Sequence, residues 1–277
     1  MQPSRRGNIG YYLGQLLLIV VFAFPLLWIL SLSLKSAEET LQSPPTLWPA
    51  QWLWSNYTHV LDTTPIGRYL VNTVILVAST VAGTLLLGVP VAYALSRYVF
   101  KARRPYTRTL LAAQLISPLI IGVPLYRMFA NLNLINNYVA LVFVYITVVA
   151  PFITWFLKSF FDTIPRELDE AAAIDGCTPL GGLVRVLLPT ARPGIVSAAI
   201  LAAVTSWSQF AIPFILLDDR DLFPVSVGVI NLQATAGEIT TQYLAAGSVM
   251  AIAPILLLFV VLQRQIVGAL TAGAVKG

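Results

Sequence analysis

The stretch "PRELDEAAAIDGCTPLGGLVRVLLP", residues 165–189, is a charged, helix-coded insert between two apolar runs of membrane length. Pro165 suits a first helical position, where its missing N–H costs nothing, and Glu167, Asp169 and Glu170 load the early turns with the charge a helix dipole favours. Ala171, Ala172 and Ala173 propagate this helix, and Gly176 can end it in a left-handed cap. Thr178 then caps a second helix with Pro179 at its first position. Leu180, Leu183, Val184 and Leu187 recur at helical spacing, and Pro189 stops the run. The expected insert is helix, glycine turn, helix. Its alanine-only step, flanked by carboxylates, offers a small face suited to docking in a protein groove; a plain interfacial connector is the alternative reading.

The rest of the chain explains why such an insert is unusual. Of 277 residues, 57% are hydrophobic and 10% are charged, against roughly a quarter charged in soluble domains. A bilayer core needs about 20 apolar residues of helix, and six stretches qualify, near 11–34, 69–95, 109–129, 138–158, 193–217 and 243–263. Runs such as "LLLIVVFAFPLLWIL" do not alternate apolar with polar, which excludes barrel strands. The fold class is therefore an all-α polytopic membrane protein, one transmembrane domain over 1–277 with a loop at 159–192 and a tail at 264–277. The first run is too long for a signal core and lacks a small-residue cleavage site after it.

Lys and Arg placement sets the expected orientation. With the N-terminal side inside, cytoplasmic segments collect thirteen cations, among them Arg97, Lys101, Arg103, Arg104, Arg108 and Lys158. Outer segments keep four: Lys35, Arg68, Arg127 and Arg220. Both termini and the 165–189 insert are expected in the cytoplasm, so the net charge of +5 reports topology and not a nucleic-acid partner. The single cysteine, Cys177, has no internal disulfide partner, and the single histidine, His59, excludes a histidine-rich metal site.

Outside, residues 35–68 are rich in proline and tryptophan, expected as turns and extended chain along the outer surface. Residues 218–242 are expected as a second outer loop, meeting an external partner or simply solvated. Prolines 25, 90, 118, 124, 151, 213 and 254 fall in or near the spans, where freed backbone groups need neighbouring helices or a wet cavity. In "VTSWSQFAIP", residues 204–213, the side chains Thr205, Trp207, Ser208 and Gln209 fall near the bilayer middle. They are expected to line a path or bond across helices.

At "EAAAIDG" followed by "LLP", the insert resembles the EAA loop of permease subunits of ABC importers. The segments "AYALSRYVF", "YRMFANLNLINNY", "FFDTIPRELDEAA" and "GALTAGAVKG" are similar to the carbohydrate branch, with its MalG-type subunits and MetI-like permease fold. That resemblance implies a permease forming half of the path for a sugar, by alternating access, in a bacterial or archaeal inner membrane. Its implied partners are a second, MalF-like permease, a dimeric MalK-like ATPase holding ATP and Mg, and an external binding protein. By the same resemblance, Glu170, Ala171, Ala172, Asp175, Gly176, Leu188 and Pro189 couple to the ATPase. The tail residues Gly268, Leu270, Thr271, Gly273, Lys276 and Gly277 would lie at the ATPase interface. The 218–242 loop corresponds to one that probes the binding protein's cleft. The family commonly has Trp-Asn-Glu-Phe where this chain has Trp207, Ser208, Gln209 and Phe210, a more neutral site.

No catalytic residues are assigned, because the paired carboxylates or His-Glu-x-x-His of intramembrane hydrolysis are missing, and no Gly-Lys dipeptide forms a phosphate-cradling loop. No metal or directly bound cofactor is expected. A self-contained secondary transporter would carry ionisable groups at mid-membrane, where this chain is nearly uncharged. Within the importer class, polyols and glycerol phosphodiesters remain alternative cargoes.

Overall fold

The computed structural model describes residues 5–235 and 240–274, with side chains described for 11–232 and 240–261. The described residues are predominantly helical, and no strand occurs among them. Long apolar runs take this form because a helix satisfies every backbone polar group within its own segment.

The first helices are α1 (Arg5–Ser33), α2 (Ala37–Thr40), α3 (Ser55–Thr63) and α4 (Ile66–Arg97). Next come α5 (Arg103–Ala113), α6 (Pro118–Asn131), α7 (Tyr138–Phe161), α8 (Glu167–Ile174), α9 (Pro179–Gly182) and α10 (Leu188–Thr190). The series ends with α11 (Arg192–Trp207), α12 (Ala211–Leu216), α13 (Val225–Thr235) and α14 (Thr241–Ala274). By length and composition, segments of α1, α4, α7 and α14 can each cross a membrane, and counting each of two bent pairs as one span brings the number up to six. Most of the α1 side chains are bare: only 11% of its most apolar window is buried, and residues such as Leu17, Ile19 and Phe22 stay more than half exposed. Apolar surface on this scale requires lipid or another protein as its solvent.

Two of the expected spans are not single helices. Within 109–129 the chain bends by 92° between α5 and α6. Pro118 has no N–H to give to Gln114 four residues back, and Ser117 caps the new helix by accepting from the Leu119 N–H. The expected span 193–217 likewise breaks after Trp207, because Pro213 cannot donate to the Gln209 carbonyl; the Ser226 hydroxyl donates to it instead, at 2.8 Å. At its other end, α11 meets the α9–α10 segment at 83°.

The chain forms two compact units: residues up to Gly67 with Gly228–Ala253, and Arg68–Val227 with Pro254 onward. Each has its own buried set. In the first, residues 41–54 are the expected turns and irregular chain, largely exposed, but side chains on either side pin them down. Asn56 on α3 donates to the Ser33 and Lys35 carbonyls, both at 2.9 Å, and Lys35, 1% exposed, bonds Thr46 while lying 5.2 Å from the Trp28 ring. Glu39, also buried, accepts from the Ala50 N–H at 3.0 Å and the Thr46 hydroxyl at 3.1 Å. A buried cation and a buried carboxylate are thus linked through one threonine, which offsets the cost of removing both from water.

The second unit is organised on α7 and α11. Val149, Ile153, Phe156, Leu157 and Phe161 of α7 are buried with Ala198 and Ala202 of α11 and with Val89 and Ala92 of α4. Gly194 permits the close packing of α11, since a Cβ there would stand 2.3 Å from the Phe160 ring. Residues 218–224 are a loop, as expected, exposed over 218–221, but a tethered one: Asn136 accepts from the Asp218 and Asp219 N–H groups at 2.7 and 3.0 Å, and Asn72 donates to the Asp221 carbonyl at 2.8 Å. Arg68 pairs with the Asp221 carboxylate. Beyond them, α13 occupies part of the expected 218–242 loop.

Candidate functional site

The 165–189 insert folds as α8, a glycine turn, α9, a π-helical turn at Leu183–Leu187 and α10. Helix α8 begins at Glu167, two residues later than Pro165 suggests, with three carboxylates in its first turn. It ends in a Schellman cap. Gly176 takes φ +81°, its N–H reaches the Ala173 carbonyl at 3.1 Å, and the Cys177 N–H reaches Ala172 at 2.9 Å. The Thr178 hydroxyl accepts from the Gly181 N–H at 3.2 Å, starting α9 as its residue type predicts. Pro189 does not stop the run; α10 continues to Thr190. Upstream, the Leu188 N–H bonds the Leu183 carbonyl, the wide i→i−5 spacing of a π turn beside a proline that cannot donate.

The insert is bolted to the ends of α4 and α7. Arg97, the last residue of α4, donates through Nη1 to the Phe161 carbonyl at 3.1 Å, and its Nε lies 2.8 Å from Asp169 Oδ2. The Arg97 side chain is 7% exposed and that of Asp169 20%. The N–H is not aligned for a hydrogen bond, so Arg97 Nε and Nη2 and Asp169 Oδ2 are held by charge alone. Beside them the Ser96 hydroxyl donates to Asp162 at 2.7 Å, Lys158 pairs with the same carboxylate at 2.5 Å, and Arg166 donates to the Ser96 carbonyl at 3.1 Å. A cavity of about 320 Å³ opens between Arg97, Tyr98, Glu170 and Thr178.

Of the residues expected to contact a partner, Glu170, Ala171, Asp175, Gly176 and Pro189 are exposed and Leu188 is half-buried. Ala172 is not part of that face. It is 5% exposed and turned inward over Gly182, whose added Cβ would meet it at 3.9 Å, so it acts as a spacer between α8 and α9. Sequence reasoning passed over Ile174, an apolar side chain 86% exposed at the tip of the insert, and the Arg97–Asp169 pair. Leu180 stands out nearby, 68% exposed. An isoleucine closing an alanine run at the end of α8 was the one local signal available for Ile174.

The helix breaks produce a second feature. A cavity of about 410 Å³ lies at the α5–α6 bend, lined by Gln114, Thr147, Pro151, Thr205 and Gln209. Thr205 and Gln209 thus share one cavity, while Trp207 and Ser208 do not line this space. Thr205 and Ser208 also bond their own i−4 carbonyls, at 2.7 and 2.9 Å. Of the tail residues, Gly268, Leu270, Thr271 and Gly273 lie in α14 with side chains outside the described set; Lys276 and Gly277 lie outside the described residues altogether.

The family of binding-protein-dependent transport system inner membrane components matches residues 83–271, a stretch that contains α8, its braces and the helix breaks. The chain belongs to that family. Among the inner membrane components it is similar to is the sulfoquinovosyl glycerol transport system permease protein of Agrobacterium fabrum. The two are 34% identical over 268 residues, covering 96% of this chain and 93% of the relative. A diacetylchitobiose uptake system permease protein of Streptomyces coelicolor is 34% identical over 93% of this chain and 85% of its own length. The trehalose/maltose transport system permease protein of Thermococcus litoralis is 30% identical over 96% and 95%. A chain in the crystal structure of a bacterial ABC transporter involved in the import of the acidic polysaccharide alginate superposes with a TM-score of 0.79 at 23% identity, covering 95% of this chain and 99% of that one. That likeness establishes the MetI-like permease fold.

Proposed function

We propose that this chain forms half of the translocation path of an ATP-driven importer for a sugar, in the size range of a disaccharide, oligosaccharide or glycoside. The observation that carries the reading is the braced insert: Glu170, Ala171, Asp175, Gly176 and Ile174 stand exposed on a short helix whose other side is fixed to α4 and α7. Bracing of this kind lets a force on the insert pass to α4 and α7. In this reading a dimeric ATPase receives the insert in a cleft, binds ATP with Mg, and closes; α4 and α7 transmit the closure to a path shared with a second permease. An external binding protein delivers the cargo, and both termini and the insert face the cytoplasm. The tail from Gly268 to Gly277 contacts the same ATPase.

The sugar class rests on the relatives, whose names specify sulfoquinovosyl glycerol, diacetylchitobiose, trehalose and maltose, all glycosides. The neutral side chains of Thr205 and Gln209, which line the cavity at the α5–α6 bend, are compatible with an uncharged cargo. The test is calorimetry on the partner binding protein with disaccharides, glycosides, polyols and glycerol phosphodiesters, followed by ATP-dependent uptake of the best binder into proteoliposomes holding the whole complex. Tight binding and uptake of a glycoside are expected; uptake of a polyol or phosphodiester alone would overturn the sugar assignment.

A further inference from the structure

Cations on one side of a membrane protein are ordinarily spread over its loops. Here they converge. Just past the end of α4, Lys101, Arg103, Arg104 and Arg108 gather with Lys158 of α7 around a cavity of about 710 Å³. No Asp or Glu lines it. Lys158 is paired with Asp162, but among the described residues the other four have no ion-pair partner. Lys101, Arg104 and Arg108 are exposed, and Arg103 is half-buried. Five like charges around one open space repel one another, and an anion is the partner that relieves them.

The same cavity has an apolar edge. Val99, 84% exposed, and Phe100, 43% exposed, line it directly beside the cations. Both follow a helix of membrane-crossing length that ends at Arg97. A cationic pocket with an apolar rim, at the level where a spanning helix ends, matches a molecule with anionic head and hydrocarbon tails. A soluble acidic partner would leave Val99 and Phe100 uncovered. We infer that this pocket binds an anionic phospholipid, with phosphate held by Lys101, Arg103, Arg104 and Arg108 and an acyl chain against Val99 and Phe100. The volume and the number of cations suit a headgroup carrying two phosphates, of the diphosphatidylglycerol type. Lys158, shared with Asp162, ties an occupied pocket to the braces of the 165–189 insert.

The experiment is native mass spectrometry of the full-length chain in complex with its partner subunits, in mild detergent. The probes are tetraoleoyl cardiolipin, dioleoyl phosphatidylcholine and inorganic pyrophosphate. Wild type is expected to take up cardiolipin selectively over phosphatidylcholine. Arg103→Gln/Arg104→Gln/Arg108→Gln is expected to lose about fivefold per cation, on the order of a hundredfold in all. Arg185→Gln/Arg192→Gln, a control on the same chain, is expected to bind as wild type. Equal losses in control and triple variant would reduce the effect to net charge and overturn the site. So would pyrophosphate displacing cardiolipin at equal concentration, which would mark a free-anion pocket, or a triple variant that keeps cardiolipin but sheds its ATPase subunits, which would mark a protein contact. These readouts use no transported cargo, so they stand apart from any failure of the importer reading.

Discussion

Arg97 Nε and Asp169 Oδ2 stand 2.8 Å apart, joining the end of α4 to the first turn of α8. The guanidinium also holds the last carbonyl of α7, at Phe161. One side chain therefore fixes three elements, and the insert moves only if α4 and α7 move with it. Breaking a buried pair by removing one partner leaves an uncompensated charge and costs about 3–5 kcal/mol; the part exposure of Asp169 places this pair toward the low end. Arg97→Gln and Asp169→Asn are predicted to lower the thermal midpoint of the detergent-solubilised complex and to lower transport per ATP hydrolysed. The double neutral variant is predicted to recover much of the midpoint. Single variants with wild-type midpoints would show that the pair bears no strain.

Gly176 has φ +81° and open space where a Cβ would sit. The cost of replacing it is thus backbone strain alone, about 1–2 kcal/mol for a side chain held in the left-handed region. Gly176→Ala is predicted to speed limited proteolysis after Arg166 or Arg185 and to depress coupled transport, while Gly176→Asn, better tolerated in that region, is predicted to fall between. Identical digestion of all three proteins would mean that the cap does not hold the turn.

Glu170 and Ile174 are exposed on α8 with no role in its internal packing. Glu170→Lys and Ile174→Asp are predicted to leave membrane insertion and thermal midpoint unchanged. Both should reduce co-purification of the ATPase and abolish substrate-stimulated hydrolysis in the reconstituted complex. Unchanged stimulation in both would sink the docking face.

Gly194 faces the Phe160 ring, with an added Cβ placed 2.3–2.6 Å from its carbons. Overpacking of this kind costs about 1–3 kcal/mol. Gly194→Ala is predicted to destabilise the complex by that amount in thermal unfolding. In a Phe160→Ala background, which lacks the Cγ, Cδ1 and Cε1 carbons that clash, Gly194→Ala should cost almost nothing. An equal loss in both backgrounds would place the strain elsewhere.

What could be read without coordinates was local. The cap at Gly176 and the start at Thr178 depend on residues within one turn, so residue type sufficed. The prolines were visible, but whether each one kinks or breaks a helix depends on what takes the freed carbonyl. For Gln209 that is Ser226, on a distant segment. Ala172 looked equivalent to Ala171 because an alanine run has no sidedness until Gly182 packs beneath it. The Arg97–Asp169 pair and the Lys35, Thr46 and Glu39 knot carry no periodic signal, since each joins single polar residues from separate elements.

Thr205 and Gln209 line the cavity at the α5–α6 bend, whereas Leu86 is 75% exposed on an apolar stretch of α4. If that cavity is water-filled during transport, a thiol there ionises and reacts with a polar reagent, while a thiol in lipid stays protonated and inert. The chain's one native thiol, Cys177, is replaced by serine as background. Thr205→Cys and Gln209→Cys are predicted to react with a charged, membrane-impermeant methanethiosulfonate at least about tenfold faster than Leu86→Cys, in keeping with the thiolate dependence of the reaction. Saturating substrate-loaded binding protein and ATP should change the rates at both positions together, because Gln209 sits in the break that Pro213 enforces and Thr205 lies one helical turn before it. Equal rates at all three positions would show that the cavity is not part of the path.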